Sequence, residues 1–356
     1  MSGRATKKPE LTDNPALAVI ILAAGQGKRM KSDRPKVLHE LMGRTLLDHV
    51  LHAAGFLSPR FLVVVTGVGA SEVERSAPPT PNLTFVRQEQ QLGTGHAAAS
   101  AGKVLAGFKG SVVILPGDVP MVSPQTLLDL VAAHKALKAD LSCLTVSVPE
   151  PAAYGRVIRD EAGWLMRIVE ARDATSDELA INEINSGLYV FDSLKLFEAL
   201  AELKPNNVQG EYYLTDTVSE FRARGYKAAA VLSPEPDEVQ GINDRIDLAR
   251  AQSVLRSRIN AAWLAAGVTM ADPSTTHIEA TVRLSRDVTL GPGVVLTGNT
   301  RIESGASIGP YACLSNVQVG PGLMVGPHES YSGAVLYLGR KTRRRPVRRS
   351  FLRRRV

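Results

Sequence analysis

The chain has 356 residues, of which 44% are hydrophobic and 22% are charged, and its formal net charge is +7. The length exceeds one ordinary domain and the composition is globular, which excludes collagen, global disorder and a disulfide-built miniprotein. Two cysteines, Cys143 and Cys313, are too few for a disulfide framework or a four-ligand zinc site, so we expect both to be small core residues in a reducing, cytoplasmic compartment.

The positive charge is concentrated at the end of the chain. Residues 340–356 contain nine Arg, one Lys and no acidic residue, so removing these ten charges from +7 leaves the remainder at −3. A mildly acidic body, and a basic segment without a pattern of interleaved aromatic residues, argue against specific nucleic-acid binding. Weak attraction of the tail to any polyanion is expected regardless.

The first structural signal is an apolar run at 17–23, after a polar N-terminus (1–15) that we expect to be flexible. A run that is apolar at every position is typical of a strand buried on both faces of a parallel sheet. The apolar stretch 16–25 is about half the length needed to span a membrane, so we expect no membrane insertion. A secretory signal peptide is the alternative, which Glu10 and Asp13 disfavour.

A glycine-rich turn follows this strand, with the sequence L-A-A-G-Q-G-K-R-M at 22–30 and Pro-Lys at 35–36. Glycines at the carboxyl end of a first strand let backbone N–H groups approach phosphate oxygens, which Arg29 and Lys36 can neutralise. Met30 replaces the third glycine of a dinucleotide fingerprint, and the spacing differs from a Walker A loop. An ordinary strand-to-helix turn is the alternative, which Arg29 and the Pro-Lys pair disfavour.

Strands and helices then alternate, which predicts βαβ units and a Rossmann-like α/β domain over 16–242. We predict further strands at 61–66, 83–86, 111–115, 141–148, 155–159, 165–169, 186–191 and 227–232. We predict helices at 45–56, 95–106, 123–138, 193–203 and 214–224.

Two polar motifs lie beside these elements. Gln88 and the sequence L-G-T-G-H at 92–96 precede a helix, where an amide and exposed backbone groups can read the edge of a pyrimidine base. The alternative is that Thr94 caps the helix, and His96 alone is expected to be structural. Asp118 follows an apolar strand, where a carboxylate can hold Mg²⁺ against substrate phosphates; a turn aspartate before proline is the alternative.

The last third of the chain changes to a period of six. A helical pattern predicts a connecting helix over 243–267, ended by Gly267. Aliphatic residues then recur every sixth position, at Ile278, Leu284, Leu290, Leu296, Ile302, Ile308 and Leu314. This predicts a short left-handed parallel β-helix over 268–335, with about nine hexapeptides in roughly three coils and an end near His328. Ordinary alternating strands predict a period of two.

The segment 336–356 has no periodicity and is interpreted as an Arg-rich disordered tail. Because a solenoid core should not be left uncapped, a truncated or frameshifted terminus that replaces further coils is a second hypothesis.

Taken in order, these motifs resemble the bacterial bifunctional N-acetylglucosamine-1-phosphate uridylyltransferases/glucosamine-1-phosphate acetyltransferases. Further matching motifs are Y-G-R at 154–156, I-V-E at 168–170, E-I-N-S-G at 183–187, Q-G-E-Y-Y-L-T-D at 209–216 and G-I-N at 241–243. The resemblance covers about residues 16–330, and the acetyltransferase part looks truncated. Lys28 stands where the family usually has Thr.

The resemblance implies a set of site residues. The residues implied for the nucleotide are Leu22, Ala23, Ala24, Gly25, Lys36, Gln88, Gly93 and Thr94. Those implied for the sugar are Gly155, Glu170, Asn185 and Asn243, and those for catalysis are Arg29, Lys36 and Asp118. Asp118 and Asn243 would coordinate a catalytic Mg²⁺.

The function implied is Mg²⁺-dependent transfer of UMP from UTP to N-acetylglucosamine 1-phosphate, for cell-envelope precursor synthesis. A related pyrophosphorylase with another nucleotide or sugar is the alternative, and a polyanion-binding protein or a scaffold is a different class. The family's second activity, acetyl transfer to glucosamine 1-phosphate, uses later coils and is expected to be absent from this chain. Hexapeptide solenoids commonly assemble as trimers, so a homotrimer through this segment is a further hypothesis.

Overall fold

The structure is a computed structural model that describes residues 14–337 and 340–342. Of the N-terminal segment predicted to be flexible (1–15), residues 1–13 lie outside the described residues. Asn14 and Pro15 belong to the first strand. The chain divides into two compact units: the first comprises 1–39 and 45–247, and the second comprises 40–44 and the chain from 248 onward.

Up to residue 265 the described chain contains strands and helices, which alternate over residues 46–147 apart from a short 3-10 turn. The strands are β1 (Asn14–Ala23), β2 (Glu40–Leu41), β3 (Arg44–Thr45), β4 (Pro59–Thr66), β5 (Leu83–Arg87), β6 (Ser111–Pro116), β7 (Leu141–Ser147), β8 (Arg156–Arg159), β9 (Leu165–Val169), β10 (Glu183–Asp192) and β11 (Ala228–Leu232). The helices are α1 (Leu46–Gly55), α2 (Ala70–Ser76), α3 (Thr94–Ser100), α4 (Pro124–Leu137), α5 (Ser176–Leu179), α6 (Ser193–Glu202), α7 (Asp216–Ala223) and α8 (Arg245–Ala265). Short 3-10 turns cover Lys28–Met30, Lys36–Leu38, Ala101–Lys103 and Pro236–Val239.

The first unit is built on a mixed sheet with the strand order β11-β7-β10-β6-β1-β4-β5, with β8 and β9 attached beside β10. Strand β1 is parallel to both β4 and β6, and β4 is parallel to β5, which confirms the predicted Rossmann-like α/β core. Strand β10 is antiparallel to both β6 and β7. The sheet is therefore not made of parallel βαβ units throughout.

The core of this unit lies on both faces of the sheet. Val19 and Ile21 pack with residues of α1 and α4, whereas Ala18 and Ile20 pack with residues of α3, α6 and α7. Because successive side chains of a strand point to opposite faces, two-sided burial explains why the run is apolar at every position.

Two short helices were not predicted, and one predicted helix is shorter than expected. Helix α2 begins after Gly69, whose φ is +80°, and α5 begins with a capping box between Thr175 and Glu178. Both are too short to give a periodic apolar stripe. The helix predicted over 95–106 ends at Ser100 and continues as the 3-10 turn Ala101–Lys103.

The second unit contains a stack of short strands. They are β12 (Thr269–Met270), β13 (His277–Ile278), β14 (Arg283–Leu284), β15 (Thr289–Leu290), β16 (Val295–Thr297), β17 (Arg301–Ile302), β18 (Ser307–Ile308), β19 (Cys313–Ser315), β20 (Gln318–Val319), β21 (Met324–Val325), β22 (Ser330–Ser332), β23 (Val335–Tyr337) and β24 (Arg340–Thr342). They form the sheets β12-β15-β18-β21, β13-β16-β19-β22 and β14-β17-β20-β23-β24, which confirms the short left-handed β-helix.

The solenoid has more coils than predicted, although its parallel strands at 269–337 nearly match the predicted span of 268–335. Within residues 269–337 each sheet holds four parallel strands, so there are four coils rather than three, and the repeat does not stop near His328. Ile278 pairs with Leu296 after 18 residues, whereas Val319 pairs with Leu336 after 17. A spacing of 17 does not fit a strict period of six. In addition, Leu314 pairs with Tyr331 rather than with an aliphatic residue. For both reasons a search for aliphatic residues at every sixth position does not find the last coil.

The last coil is followed by a returning strand. Strand β24 pairs antiparallel with β23, so residues 340–342 form a strand within the segment predicted to be a disordered tail. The exposed N–H and C=O groups of a terminal coil form an edge that a further strand can satisfy. The predictions for 338–339 and 343–356 lie outside the described residues.

The two cysteines differ. Cys143 is buried in β7, as expected, but Cys313 is exposed, because Leu314 occupies the inward position of β19. In α8, Ile259 and Trp263 pack against the solenoid core, and the Asn260 amide donates to the carbonyls of Pro273 (2.8 Å) and Thr276 (3.0 Å). In the part of the chain that the structure describes, no helix has the length and apolarity needed to cross a membrane.

Candidate active site

A cavity of about 520 Å³ lies at the carboxyl ends of β1 and β6 in the first unit. This is where open α/β sheets bind ligands. Most of the residues predicted for the site line it, namely Leu22, Ala23, Ala24, Gly25, Lys36, Gln88, Gly93, Thr94, Asp118, Glu170 and Asn185. The lining residues do not include Arg29, Gly155 or Asn243. Asn243 contacts the lining residue Lys36, and Gly155 accepts a hydrogen bond from the lining residue Asn185. Arg29 bonds to Asn243 and follows the lining residue Lys28 in the chain.

The turn after β1 leaves its backbone open to the cavity. A side chain on Gly25 would meet no protein atom within 4 Å, so its absence leaves room for a ligand against the backbone. Gly27 has a different requirement, since its φ is +62° and a Cβ there would lie 2.6 Å from the Lys36 Cβ. Lys28 also lines the cavity and adds a positive charge beside this turn.

Two cations and two oxygen ligands converge beside the turn. The Lys36 ammonium donates to Asp118 Oδ2 and lies 3.5 Å from Asn243 Oδ1. Arg29 Nη2 donates to the same Asn243 oxygen at 2.9 Å. The Ile242 N–H donates to the Asp118 carbonyl at 2.9 Å, which fixes the turn that carries Asn243 beside the end of β6.

This arrangement is compatible with a magnesium ion that also binds phosphate. The side-chain oxygens of Asp118 and Asn243 both face the Lys36 ammonium. Oxygen atoms are the ligand type that Mg²⁺ prefers. Two protein oxygens are too few for an all-protein cage, and the described residues contain no group of three His, Cys, Asp or Glu that could hold a metal. Mg²⁺ commonly takes its other ligands from substrate phosphates and water.

A second polar loop faces the cavity between β5 and α3. Gln88 is 4% exposed, and its Nε2 donates to the Gly93 carbonyl at 3.1 Å and to His96 Nδ1 at 2.9 Å. Both hydrogens of the amide are used, so Gln88 Oε1 is left as an acceptor. The contact of His96 with Gln88 is compatible with the structural role predicted for it.

Thr94 does not cap the helix, which corrects that alternative. It is the first residue of α3, whose N-cap is Gly93, and its Oγ1 accepts from the Leu214 N–H at 3.0 Å. Gly93 has a φ of +110°, and a Cβ there would lie 2.6 Å from the Tyr212 carbonyl oxygen. The segment around Tyr212 therefore packs directly on this loop.

A carboxylate and an amide form another part of the cavity. Burial raises the pKa of Glu170, and the nearby charges of Asp173 and Asp216 act in the same direction. Thr215 Oγ1 donates to Glu170 Oε1 at 3.4 Å. The Asn185 N–H donates to the Gly155 carbonyl at 2.9 Å, and a Cβ on Gly155 would lie 3.5 Å from Glu170 Oε1. Gly155 thus lies next to both Glu170 and Asn185 and bonds to the backbone of Asn185.

Asn243 was expected to bind sugar as well as metal. Its side-chain hydrogen bonds within the described residues join it to Arg29, Lys36 and the Gly241 carbonyl, and none joins it to Glu170 or Asn185. Its contacts therefore favour the metal role over the sugar role.

Several lining residues were not predicted. They are Gln26, Lys28, Val37, Gln91, Ala97, Pro116, Gly187, Tyr189, Glu211, Leu214 and Thr215. Glu211 and Thr215 lie in the matching motif at 209–216, which is the sequence signal that points to them. Gln91 Nε2 donates to the Ala24 carbonyl at 2.8 Å, and Gln91 Oε1 accepts from Gln26 Nε2 at 2.5 Å. No local sequence pattern predicts these hydrogen bonds.

The sequence of this chain is similar to those of known proteins. The family model described as a MobA-like NTP transferase domain matches residues 19–182. Relatives named "Bifunctional protein GlmU" include one from Thermobifida fusca (strain YX), 43% identical over 86% of this chain and 65% of the relative. Another, from Shouchella clausii (strain KSM-K16), is 42% identical over 86% of this chain and 71% of the relative. The chain thus spans about two thirds of the length of these relatives.

Solved structures of UDP-glucose pyrophosphorylase share the fold. The complex with UDP-glucose has a TM-score of 0.56 at 19% identity and covers 68% of this chain and 98% of its own. The apo form has a TM-score of 0.56 at 17% identity and covers 68% and 99%. At these identities the likeness concerns the fold alone.

Proposed function

Because this chain belongs to the family of the bifunctional GlmU proteins, we propose that its first unit transfers UMP from UTP to N-acetylglucosamine 1-phosphate. The products are UDP-N-acetylglucosamine, a precursor of the cell envelope, and pyrophosphate. The observation that carries the proposal is a set of four hydrogen-bonded side chains beside the turn after β1, namely Arg29, Lys36, Asp118 and Asn243.

The reaction needs charge compensation more than a strong base. An oxygen of the sugar phosphate attacks the α-phosphorus of UTP in line, and pyrophosphate leaves. A phosphate monoester is already anionic, so the main obstacle is the approach of two anions. Arg29, Lys36 and Lys28 lie at or beside the cavity and can offset this repulsion.

The residues also suit a magnesium ion. Asp118 and Asn243 would hold Mg²⁺, which would supply Lewis-acid stabilisation of phosphate oxygens when bound. Lys36 shares both oxygens, so its ammonium is placed to move between Asp118 and a phosphate group of the nucleotide.

The Gln88 amide supports a uracil base. Its Oε1 is an acceptor because its Nε2 hydrogens are engaged by Gly93 and His96. The imide N–H of uracil can donate to this oxygen, whereas the equivalent ring nitrogen of cytosine carries no hydrogen. UTP is therefore favoured over CTP.

A pyrophosphate-release assay with UTP, N-acetylglucosamine 1-phosphate and Mg²⁺ tests the proposal. We expect turnover with UTP to exceed that with CTP, ATP, GTP or TTP, and chelation of the metal to abolish it. Glucose 1-phosphate and other sugar phosphates test the alternative of a related pyrophosphorylase. Turnover with N-acetylglucosamine 1-phosphate no faster than with the other sugars would reject the substrate, and turnover in the presence of chelator would reject the metal.

Three further expectations stay predictions. They are the absence of acetyl transfer, the homotrimer and the cytoplasmic location. An assay with acetyl-CoA and glucosamine 1-phosphate decides the first, and the mass of the protein in solution decides the second.

A further inference from the structure

The side-chain oxygen of Asn185 faces three donor groups. Asn185 Oδ1 accepts from the Tyr189 hydroxyl at 2.8 Å and from the Gly187 N–H at 2.9 Å. The Cys143 thiol lies 3.3 Å from the same oxygen and 3.3 Å from the Leu144 carbonyl, so these two acceptors share its one hydrogen. A backbone N–H can only donate, so the amide must turn its oxygen, and not its nitrogen, toward this group. The orientation of the amide therefore follows from its neighbours.

The nitrogen of the same amide has no such neighbours. Within the described residues Asn185 Nδ2 makes no hydrogen bond, and Asn185 lines the cavity beside Glu170. Its two N–H groups are thus available to a ligand in that part of the cavity. An amide nitrogen offers donors only, so the ligand must present an acceptor.

We propose that Tyr189 is a positioning residue that acts through Asn185, holding its side-chain oxygen so that the amide N–H groups face an acceptor oxygen of the sugar phosphate. This rests on the proposed function, which assigns this part of the cavity to the sugar. The site then selects for a hydroxyl or carbonyl oxygen at that position of the ligand and against a group that only donates.

The tyrosine that holds Asn185 is buried and packed against a second aromatic ring. Tyr189 is 1% exposed, and its ring packs against Phe191 with a centroid distance of 5.5 Å. Burial raises the pKa of the Tyr189 hydroxyl and of the Cys143 thiol, so both keep the hydrogen that they donate.

The third donor is fixed by the backbone. Gly187 has a φ of +79°, and a Cβ there would lie 2.9 Å from Pro116 Cγ. Only glycine suits this turn without strain, and the turn aims the Gly187 N–H at Asn185.

The test is Tyr189→Phe, which keeps the ring and removes the donor. We expect the KM for N-acetylglucosamine 1-phosphate to rise by about 2- to 10-fold, as for the loss of one neutral hydrogen bond, while the KM for UTP stays unchanged. The matched control is Tyr213→Phe, since the Tyr213 side chain is also buried but is not among the described donors to the Asn185 side-chain oxygen. The control should leave both KM values unchanged.

A double-mutant cycle separates positioning from general packing. In the Asn185→Ala background, Tyr189→Phe should have no further effect on the KM for the sugar phosphate, because the group that it positions is gone. Equal effects in both backgrounds, or an unchanged KM in the single variant, would overturn the proposal.

Failure of the proposed function and misfolding of the variant can each be distinguished from failure of the positioning role. If the unmodified protein does not turn over N-acetylglucosamine 1-phosphate, the proposed function fails, whatever the variants do. If thermal unfolding shows that Tyr189→Phe does not fold, Cys143→Ala removes another donor to the same oxygen, and a KM increase that disappears with Asn185→Ala is again required.

Discussion

The two units of this chain bring residues together over very different distances in sequence. In the first unit, Arg29 and Asn243 are 214 positions apart and still share a hydrogen bond, and Lys36 and Asp118 are 82 apart. In the second unit, each inward residue of a regular coil pairs with one 17 or 18 positions on. The site is thus a product of long-range convergence, whereas the solenoid is a product of local repetition.

This difference predicts how each unit responds to mutation. A residue of the convergent site has no substitute elsewhere in the chain, so its loss should remove activity without unfolding the protein. A residue of the solenoid contacts its neighbours in the adjacent coils, so its loss should reduce stability and leave the chemistry intact.

The largest effect is expected for Asp118→Ala. The change removes the carboxylate that pairs with Lys36 and that is proposed to hold the metal, so kcat/KM should fall by roughly 10³-fold or more. Pyrophosphate release measures the effect. The matched control is Asp129→Ala, an exposed carboxylate on α4 that bonds to Gln125. Near-normal turnover of Asp118→Ala would remove this residue from the mechanism.

The next effect is expected for Leu296→Ala in the solenoid. Leu296 is fully buried between coils, so the free energy of unfolding of the second unit should fall by about 2–5 kcal/mol, with no change in the KM for UTP. Trp263 packs against this core, and the chain has one other tryptophan, Trp164, so a Trp164→Phe background makes fluorescence report on this unit.

The control for that experiment is Met324→Ala, because Met324 is 82% exposed. It should change the free energy of unfolding by less than about 0.5 kcal/mol. A loss of UMP transfer in Leu296→Ala at a temperature where its fluorescence is native would break the proposed separation of roles.

The smallest effect concerns pH and Asp216 at the start of α7. Burial, with the charges of Asp173 and Glu220, raises the pKa of Asp216 to about 6 from 3.8. Between these values the folded state binds more protons than the unfolded state, so this group lowers stability as pH rises from about 4 to 6. The first unit should therefore lose about 2–4 °C of melting temperature over this window relative to Asp216→Asn.

Melting curves of both proteins from pH 4 to 7 check this prediction. Parallel curves would show that Asp216 does not titrate in the window. An opposite slope would indicate that Asp216 is stabilised as a carboxylate, contrary to the effect of its burial and of Asp173 and Glu220.

Much of the site could be predicted because its residues follow recognisable strand ends. The turn at 22–30, Gln88 and Asp118 each stand where a parallel strand delivers its next residues to one edge of the sheet. The family resemblance was confirmed by relatives at 42–43% identity, and the nucleotidyltransferase class by the matching domain model. The residue roles implied by the resemblance stay predictions.

Other lining residues could not be predicted because their place depends on packing. Tyr189 faces the cavity since β10 runs antiparallel between β6 and β7, a topology that an apolar run does not reveal. Gln91 lies there because it reaches back to the Ala24 carbonyl. Thr94 binds the Leu214 backbone rather than capping its own helix, since the segment at 212–214 packs on it.

The sequence by itself determined the strands, the glycine-rich turn and the period of the solenoid. These depend on the chain's own spacing, since buried strands require continuous apolar runs and stacked coils require one inward residue in six. Only the tertiary structure decided that β10 runs antiparallel between β6 and β7, that Arg29 meets Asn243 and Lys36 meets Asp118, and that a fourth coil continues past His328. The site residues have partners 82 to 214 positions away, and the last coil pairs at a spacing that the period of six does not give. Hydrogen bonding and burial select such partners only when the chain has folded.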